Sequence, residues 1–223
     1  MVNLGSPEST SIKDVKKYLD EFLMDKRVIG KSYLFRFLLV KGIILNFRPK
    51  KSAAAYKKIW WKEGSPLIVL SQRLFDKVKK LIEMPAALAM RYGSISIYNG
   101  IHELDKQGVD EIIVLPLYPH YAMSSYESVV VKVEEEILKN FSHIKTKVIP
   151  AFYNDPLYLK AMINNIKSHL KDIDYDYLLF SYHGLPESHL RISDPTNFHC
   201  QGNSCCEKGS VAHNTCYKHQ VFE

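Results

Sequence analysis

The 223-residue sequence predicts an α/β fold built on largely parallel sheets. Three observations predict it. Strand-like and helix-like segments alternate along the chain, the pattern of β-α crossover units. The strand-like runs are continuously apolar instead of alternating, as in sheets covered on both faces. Hydrophobic residues make up 46% of the chain, enough to build a core. The length suits one large domain or two small ones, and a boundary near residues 145–153 divides 1–147 from 148–223.

The elements follow in order. Residues 11–23, SIKDVKKYLDEFL, place Ile12, Val15, Leu19 and Phe22 at helical spacing behind a Ser11 cap. Residues 52–82 read as two helices separated by Gly64-Ser65-Pro66. AALAMRYG (86–93) is a strand running into a glycine turn, and SISIYNGIHELDKQGV is a helix. DEIIVLPLYP (110–119) is a short strand stopped by proline, followed by a helix in SSYESVVVKVEEEILKNF. KTKVIPAFY is the next strand, and Asp155-Pro156 opens a helix running to about Ile173. YDYLLFSYH (175–183) is read as the last strand. No internal repeat or low-complexity segment interrupts this order.

The charge is uneven. Residues 1–100 carry 19 Lys/Arg against 8 Asp/Glu, and residues 101–223 carry 11 against 16, within a net +6. A basic first half suits an anionic ligand or membrane surface. No nucleic-acid-binding signature accompanies the charge, so no nucleic-acid partner is expected. The first 20 residues contain no apolar leader, which points to the cytoplasm. The most apolar window, residues 33–47, is too short to span a bilayer and holds Arg36 and Lys41. It reads either as a buried helix with two solvated charges or as a peripheral membrane-surface helix.

In open α/β sheets, ligands sit beyond the carboxyl ends of the strands. The residues at those ends are Asn3-Leu4-Gly5, Tyr92-Gly93, Tyr118-Pro119 and His183-Gly184. There is no G-x-G-x-x-G, Walker A or G-x-S-x-G motif, so dinucleotide, NTP and α/β-hydrolase chemistry lose their usual support. His183 remains, with a glycine and a proline that turn the chain just after it. A neutral imidazole there can accept a proton or bind a metal near neutral pH.

Several runs resemble the ferrochelatase family. SYHGLPESHLRISDP resembles its Ser-aromatic-His-Gly-Leu-Pro motif with a following Asp-Pro, and LPLYPHYAMSS resembles its Tyr-Pro-Gln-Tyr-Ser segment. VNLGSPES, YLDEFLMDKRVI, WWKEGSPLIVLSQRL and AMRYG agree in order and spacing, so the resemblance covers essentially the whole chain. It implies two Rossmann-like, chelatase-type domains with mostly parallel sheets flanked by helices, the second incomplete, and a porphyrin cleft. It also implies insertion of Fe²⁺ into protoporphyrin IX, or coproporphyrin III in some relatives, in haem synthesis. His183 is then the catalytic histidine, as proton acceptor, iron ligand or both. Porphyrin contacts are implied at Arg48, Tyr56, Ser65, Tyr118, Pro119 and Tyr121. Read by themselves, Arg48 is equally a solvated charge and Tyr56 a core residue. Tyr56 and Ser65 also lie further apart than in some relatives.

The sequence departs from the family pattern in one respect. The acidic Ser-Asp-His-x-Glu-type segment and the Trp-Gln-Ser segment expected well beyond His183 are absent. The chain is therefore expected to be a piece lacking roughly the last third and inactive alone.

Cys200, Cys205, Cys206 and Cys216 lie within 17 residues. Clustered cysteines in a reducing compartment favour metal or redox chemistry over disulfides. Their spacing is not the C-x2-C of zinc sites. Resemblance to those bacterial ferrochelatases that carry internal cysteines implies a [2Fe–2S] cluster, with zinc and unligated thiols as alternatives. His199, His213 and His219 are read as surface residues. Two further functions remain open: a cobalt or sirohydrochlorin chelatase, and a non-catalytic porphyrin- or Fe–S-binding piece.

Overall fold

A computed structural model describes residues 1–202 and 204–223. The chain divides into two compact units, Met1–Leu117 with Ser124–Ile149, and Tyr118–Met123 with Pro150–Glu223.

The first unit holds strands β1 (Val2–Gly5), β2 (Ala89–Tyr92), β3 (Glu111–Val114) and β4 (Lys145–Val148). β1 pairs in parallel with β2, and β3 with β4. A parallel bridge between Val2 and Pro116 links the pairs. There the Val2 amide donates to Leu115 O at 2.9 Å, and the Leu117 amide donates to Val2 O at 2.8 Å. The resulting spatial order is β2-β1-β3-β4, a parallel arrangement that needs crossover helices. Those helices are α1 (Ile12–Leu23), α2 (Tyr33–Phe37), α3 (Leu45–Ile59), α4 (Pro66–Lys79), α5 (Ile97–Asp105) and α6 (Ser128–Asn140). The α/β class expected from the sequence is the one observed.

α1 begins where the cap was expected, with the Ser11 hydroxyl accepting from the Asp14 amide at 3.1 Å. It buries Val15, Tyr18, Leu19 and Leu23, whereas Ile12, in the first turn, stays exposed. Val15, Leu19 and Leu23 pack with Val40, Leu45 and Ala53 into the main apolar cluster. Gly5 ends β1 at φ +99°, and a Cβ there would lie 1.9 Å from Tyr92 O, so only hydrogen fits.

The 33–47 window is helical but not buried. α2 passes into a π-helical stretch, Leu38–Ile44, before α3. A segment apolar on every side can turn only one side to the core. Val40 and Leu45 take that side, leaving Tyr33, Leu34, Leu38 and Phe47 exposed. Arg36, expected to be solvated, is instead buried, and its guanidinium donates to Lys31 O at 2.8 Å. Among the described residues, no helix is long and apolar enough to cross a membrane.

The second unit holds α7 (Pro156–Leu170), α8 (Glu187–Ile192), α9 (Tyr217–Phe222) and three 3-10 turns, at His199–Gln201, Cys205–Glu207 and Val211–Thr215. Asp155 caps α7 ahead of Pro156, as the Asp-Pro pair predicts. The strand expected at 175–183 does not form, and none of the described residues of this unit lies in a strand. A strand is completed by ladder partners, and the described residues of this unit supply none. Tyr177 is 93% exposed and Leu179 89%, while α7 buries no residue.

Candidate functional site

Among the residues singled out from the sequence, Arg48, Tyr56 and Ser65 belong to the first unit. His183, Tyr118, Pro119, Tyr121 and the four cysteines belong to the second.

In the first unit, the carboxyl ends of β1 and β2 open into a cavity of about 350 Å³. Ser6, Glu8, Glu63, Ser65, Tyr92 and Ser94 are among its lining residues. This is where a ligand is expected in an open α/β sheet. Ser65 is buried at the start of α4, ahead of Pro66, and its side chain caps no amide. The buried Ser6 hydroxyl has no hydrogen-bond partner among the described residues. Tyr56 packs edge-on against Tyr18 and Trp60, and burial raises its pKa. Arg48 is exposed on α3.

Beside this cavity lies a polar network that was not legible beforehand. Asp25 Oδ2 accepts from Arg91 at 2.6 Å, the Tyr92 hydroxyl at 3.0 Å and the Ser128 hydroxyl at 2.5 Å. Asp25 Oδ1 accepts from the Arg27 amide at 2.8 Å. Burial alone would raise the Asp25 pKa, but these hydrogen bonds and the Arg91 charge together hold it below the ordinary carboxylate range.

In the second unit, His183 is exposed in a segment with no helical or strand hydrogen bonding, just before Pro186 opens α8. Tyr118–Tyr121 is fastened to the same unit. The Phe152 amide donates to Pro119 O at 2.9 Å, and the Tyr121 amide donates to the buried Gln220 side chain at 2.7 Å. Between these anchors, the His120 ring meets Tyr153, Tyr182 and Tyr217. Burial raises the Tyr217 pKa, and a hydrogen bond with the His183 backbone works against that rise. The structure thus places the Tyr118–Tyr121 segment and the His183 turn around one aromatic group. His120 and Gln220 were not singled out from the sequence, because their partners lie far along the chain.

The cysteine segment is organised by Asp194, which accepts from the Cys200 amide at 2.9 Å and from Thr196 at 2.8 and 2.7 Å. Burial would raise the Asp194 pKa, but these bonds hold it low. Cys200 and Cys206 each interact with Cys205 and Cys216. Burial, Cys216 and then Asp194 push the Cys200 thiol up to about 12, and burial with Cys216 and Cys205 pushes Cys206 up to about 11. His199, His213 and His219 are half-buried instead of lying on the surface. They form a column in which the His213 and His219 rings stack at 3.6 Å. Among the described residues, no three His, Cys, Asp or Glu side chains are gathered tightly enough to hold a metal ion.

The ferrochelatase family model matches residues 1–222. The ferrochelatase of Opitutus terrae is 45% identical over 226 aligned positions, covering all of this chain and 65% of that protein. That of Stutzerimonas stutzeri is 44% identical, also covering all of this chain and 65% of its own length. The Azotobacter vinelandii ferrochelatase is 44% identical over 95% of this chain and 62% of its own. The chain therefore spans about 65% of the length of the curated relatives it matches. With a match along its whole length and the His183 turn within it, the chain belongs to the ferrochelatase family.

Proposed function

We propose that the full-length protein inserts Fe²⁺ into protoporphyrin IX or coproporphyrin III, with His183 handling protons or iron at the macrocycle. The observation that carries this reading is His183. It is an exposed imidazole on a turn braced by aromatic side chains, inside a motif that resembles the family's active-site run.

The reaction needs little beyond geometry and a base. A porphyrin releases two pyrrole N–H protons and takes up one Fe²⁺, and the iron keeps its oxidation state. A neutral imidazole beside the ring accepts the pyrrole protons in turn, passing the first to water before taking the second as the Fe–N bonds form, or presents the incoming ion through its free nitrogen while water takes both protons. The propionates are anionic, which suits Arg48 and the amides at the start of α4 beside Ser65. Tyr118, Pro119 and Tyr121 would line the macrocycle with two phenol rings and a pyrrolidine.

The exposed Tyr33, Leu34, Leu38 and Phe47 are followed by Arg48, Lys50 and Lys51. This is the composition of a surface that lies on an anionic bilayer and draws a hydrophobic substrate from it. Co-sedimentation with vesicles containing anionic lipid, lost on Phe47→Glu, tests that docking.

The cysteines fit a [2Fe–2S] cluster in the chemistry of the donor set alone: four sulfurs in one segment, with Cys205 and Cys216 disfavouring the thiolates of Cys200 and Cys206. Cys200, Cys205, Cys206 and Cys216 would hold it. When bound, the cluster supplies cationic iron that neutralises this repulsion and cross-links the segment. Protein purified without oxygen is expected to carry about two irons with acid-labile sulfide. Cys216→Ser is expected to lose both, and metal-free wild type would overturn the reading.

The activity is tested with the full-length protein under anaerobic conditions, mixing porphyrin with Fe²⁺ or Zn²⁺ and following metalloporphyrin absorbance. Turnover supports the proposal. Porphyrin binding without turnover makes the protein a carrier, and neither binding nor turnover overturns it.

A further inference from the structure

We propose that His120 is a positioning residue for His183, its ring bracing Tyr182 and Tyr217 so that the turn carrying His183 is held in place. The proposal rests on the ferrochelatase reading for its consequence in turnover.

In the described residues, 177–186 form neither helix nor strand, and the contacts that reach the His183 turn are made by side chains. Three tyrosines from separate stretches of the unit converge on the His120 imidazole. Tyr153 stacks at 6.0 Å and 22°, Tyr182 meets it edge-on at 6.2 Å and 86°, and Tyr217 lies at 5.7 Å and 69°. These are the offset-stacked and edge-to-face arrangements that aromatic rings prefer. Tyr182 is the covalent neighbour of His183, and Tyr217 shares a hydrogen bond with the His183 backbone. Both paths from His120 therefore end at His183.

The base of the brace is itself anchored. Pro119 O and the Tyr121 amide, on either side of His120, are bonded to Phe152 and Gln220. Gln220 donates in turn to His213 O at 3.1 Å and Asn214 O at 2.9 Å. Tyr153 is tied by its hydroxyl to Glu223 at 3.1 Å. Burial lowers the His120 pKa, so the ring is neutral at pH 7 and packs without the cost of a desolvated charge.

The test uses the full-length protein with His120→Ala and His120→Phe. A brace works through ring shape. Alanine is therefore expected to lower kcat on the order of 10–100-fold, the cost of a displaced reacting group, with KM for porphyrin nearly unchanged. Phenylalanine is expected to restore most of the rate. In the alanine protein, amide hydrogen exchange at 182–184 is expected to rise, a readout independent of turnover. A wild-type rate in the alanine protein overturns the proposal. So does a phenylalanine protein as slow as alanine, since the ring nitrogens would then be what matters. If His120→Ala does not fold, His120→Leu, which fills the space without ring geometry, takes its place with the same expectations. Wild-type protein without turnover refutes the ferrochelatase reading; accelerated exchange in the alanine protein would still support the brace, and unchanged exchange would refute it.

Discussion

His183→Ala in the full-length protein is expected to lower metal insertion by about 100-fold or more while leaving thermal stability unchanged. A positioned acid–base group contributes roughly 10²–10⁴-fold to a proton-transfer step. His183 is exposed and follows a segment with no ladder bonds, so removing its ring opens no cavity. The pairing of a large rate loss with an unmoved melting temperature separates a reacting group from a packing residue. A variant that keeps more than about a tenth of the wild-type rate would place the proton acceptor elsewhere. A variant that melts early would mean His183 contributes to the fold.

The largest stability effect is expected in the first unit, at Asp25. Asp25→Ala strips the carboxylate from Arg91, Tyr92 and Ser128 together, leaving a mostly buried guanidinium with no counter-charge at its former partner. Breaking a buried pair in this way costs about 3–5 kcal/mol. Asp25→Asn keeps the shape but loses the charge, so it is expected to cost less. The direction with pH follows from the lowered folded-state pKa. The contribution of Asp25 is fully present above its unfolded value, about 3.9, and is lost as pH falls through the folded value below it. Urea midpoints between pH 7 and pH 2.5 should therefore fall less steeply on acidification for Asp25→Asn than for wild type. Parallel curves would remove Asp25 from the acid response.

Much of the first unit was legible because its signals are local. Ser11 capping α1, the Gly64-Ser65-Pro66 break before α4 and the apolar run of β3 each lie within a few residues of what they specify. The 175–183 run has the same strand chemistry, yet it forms no strand and is exposed, because a strand is completed by partners outside itself. Arg36 was misjudged for a related reason: the carbonyl that captures it belongs to Lys31, in the turn before α2. His183 was singled out from its flanking glycine and proline alone. His120 was not, since Tyr182 and Tyr217 lie 62 and 97 positions further along the sequence. Asp25 likewise carries no local signal, since its partners Arg91 and Ser128 lie 66 and 103 positions further along the sequence.

The chain leaves the first unit at Leu117, returns at Ser124 and leaves again after Ile149. The Tyr118–Met123 detour has consequences on the ribosome. Synthesis delivers those six residues long before Phe152 and Gln220, the partners that seat Pro119 and Tyr121, have been made. A nascent chain can assemble β1 to β4 early, but it must carry the YPHY segment unsatisfied until residue 220 emerges from the exit tunnel. A single protease cut after Ile149 leaves the first unit whole but carries Tyr118–Met123 away from the second. No single cut releases the second unit complete, because its Pro119–Tyr121 segment is encoded inside the first.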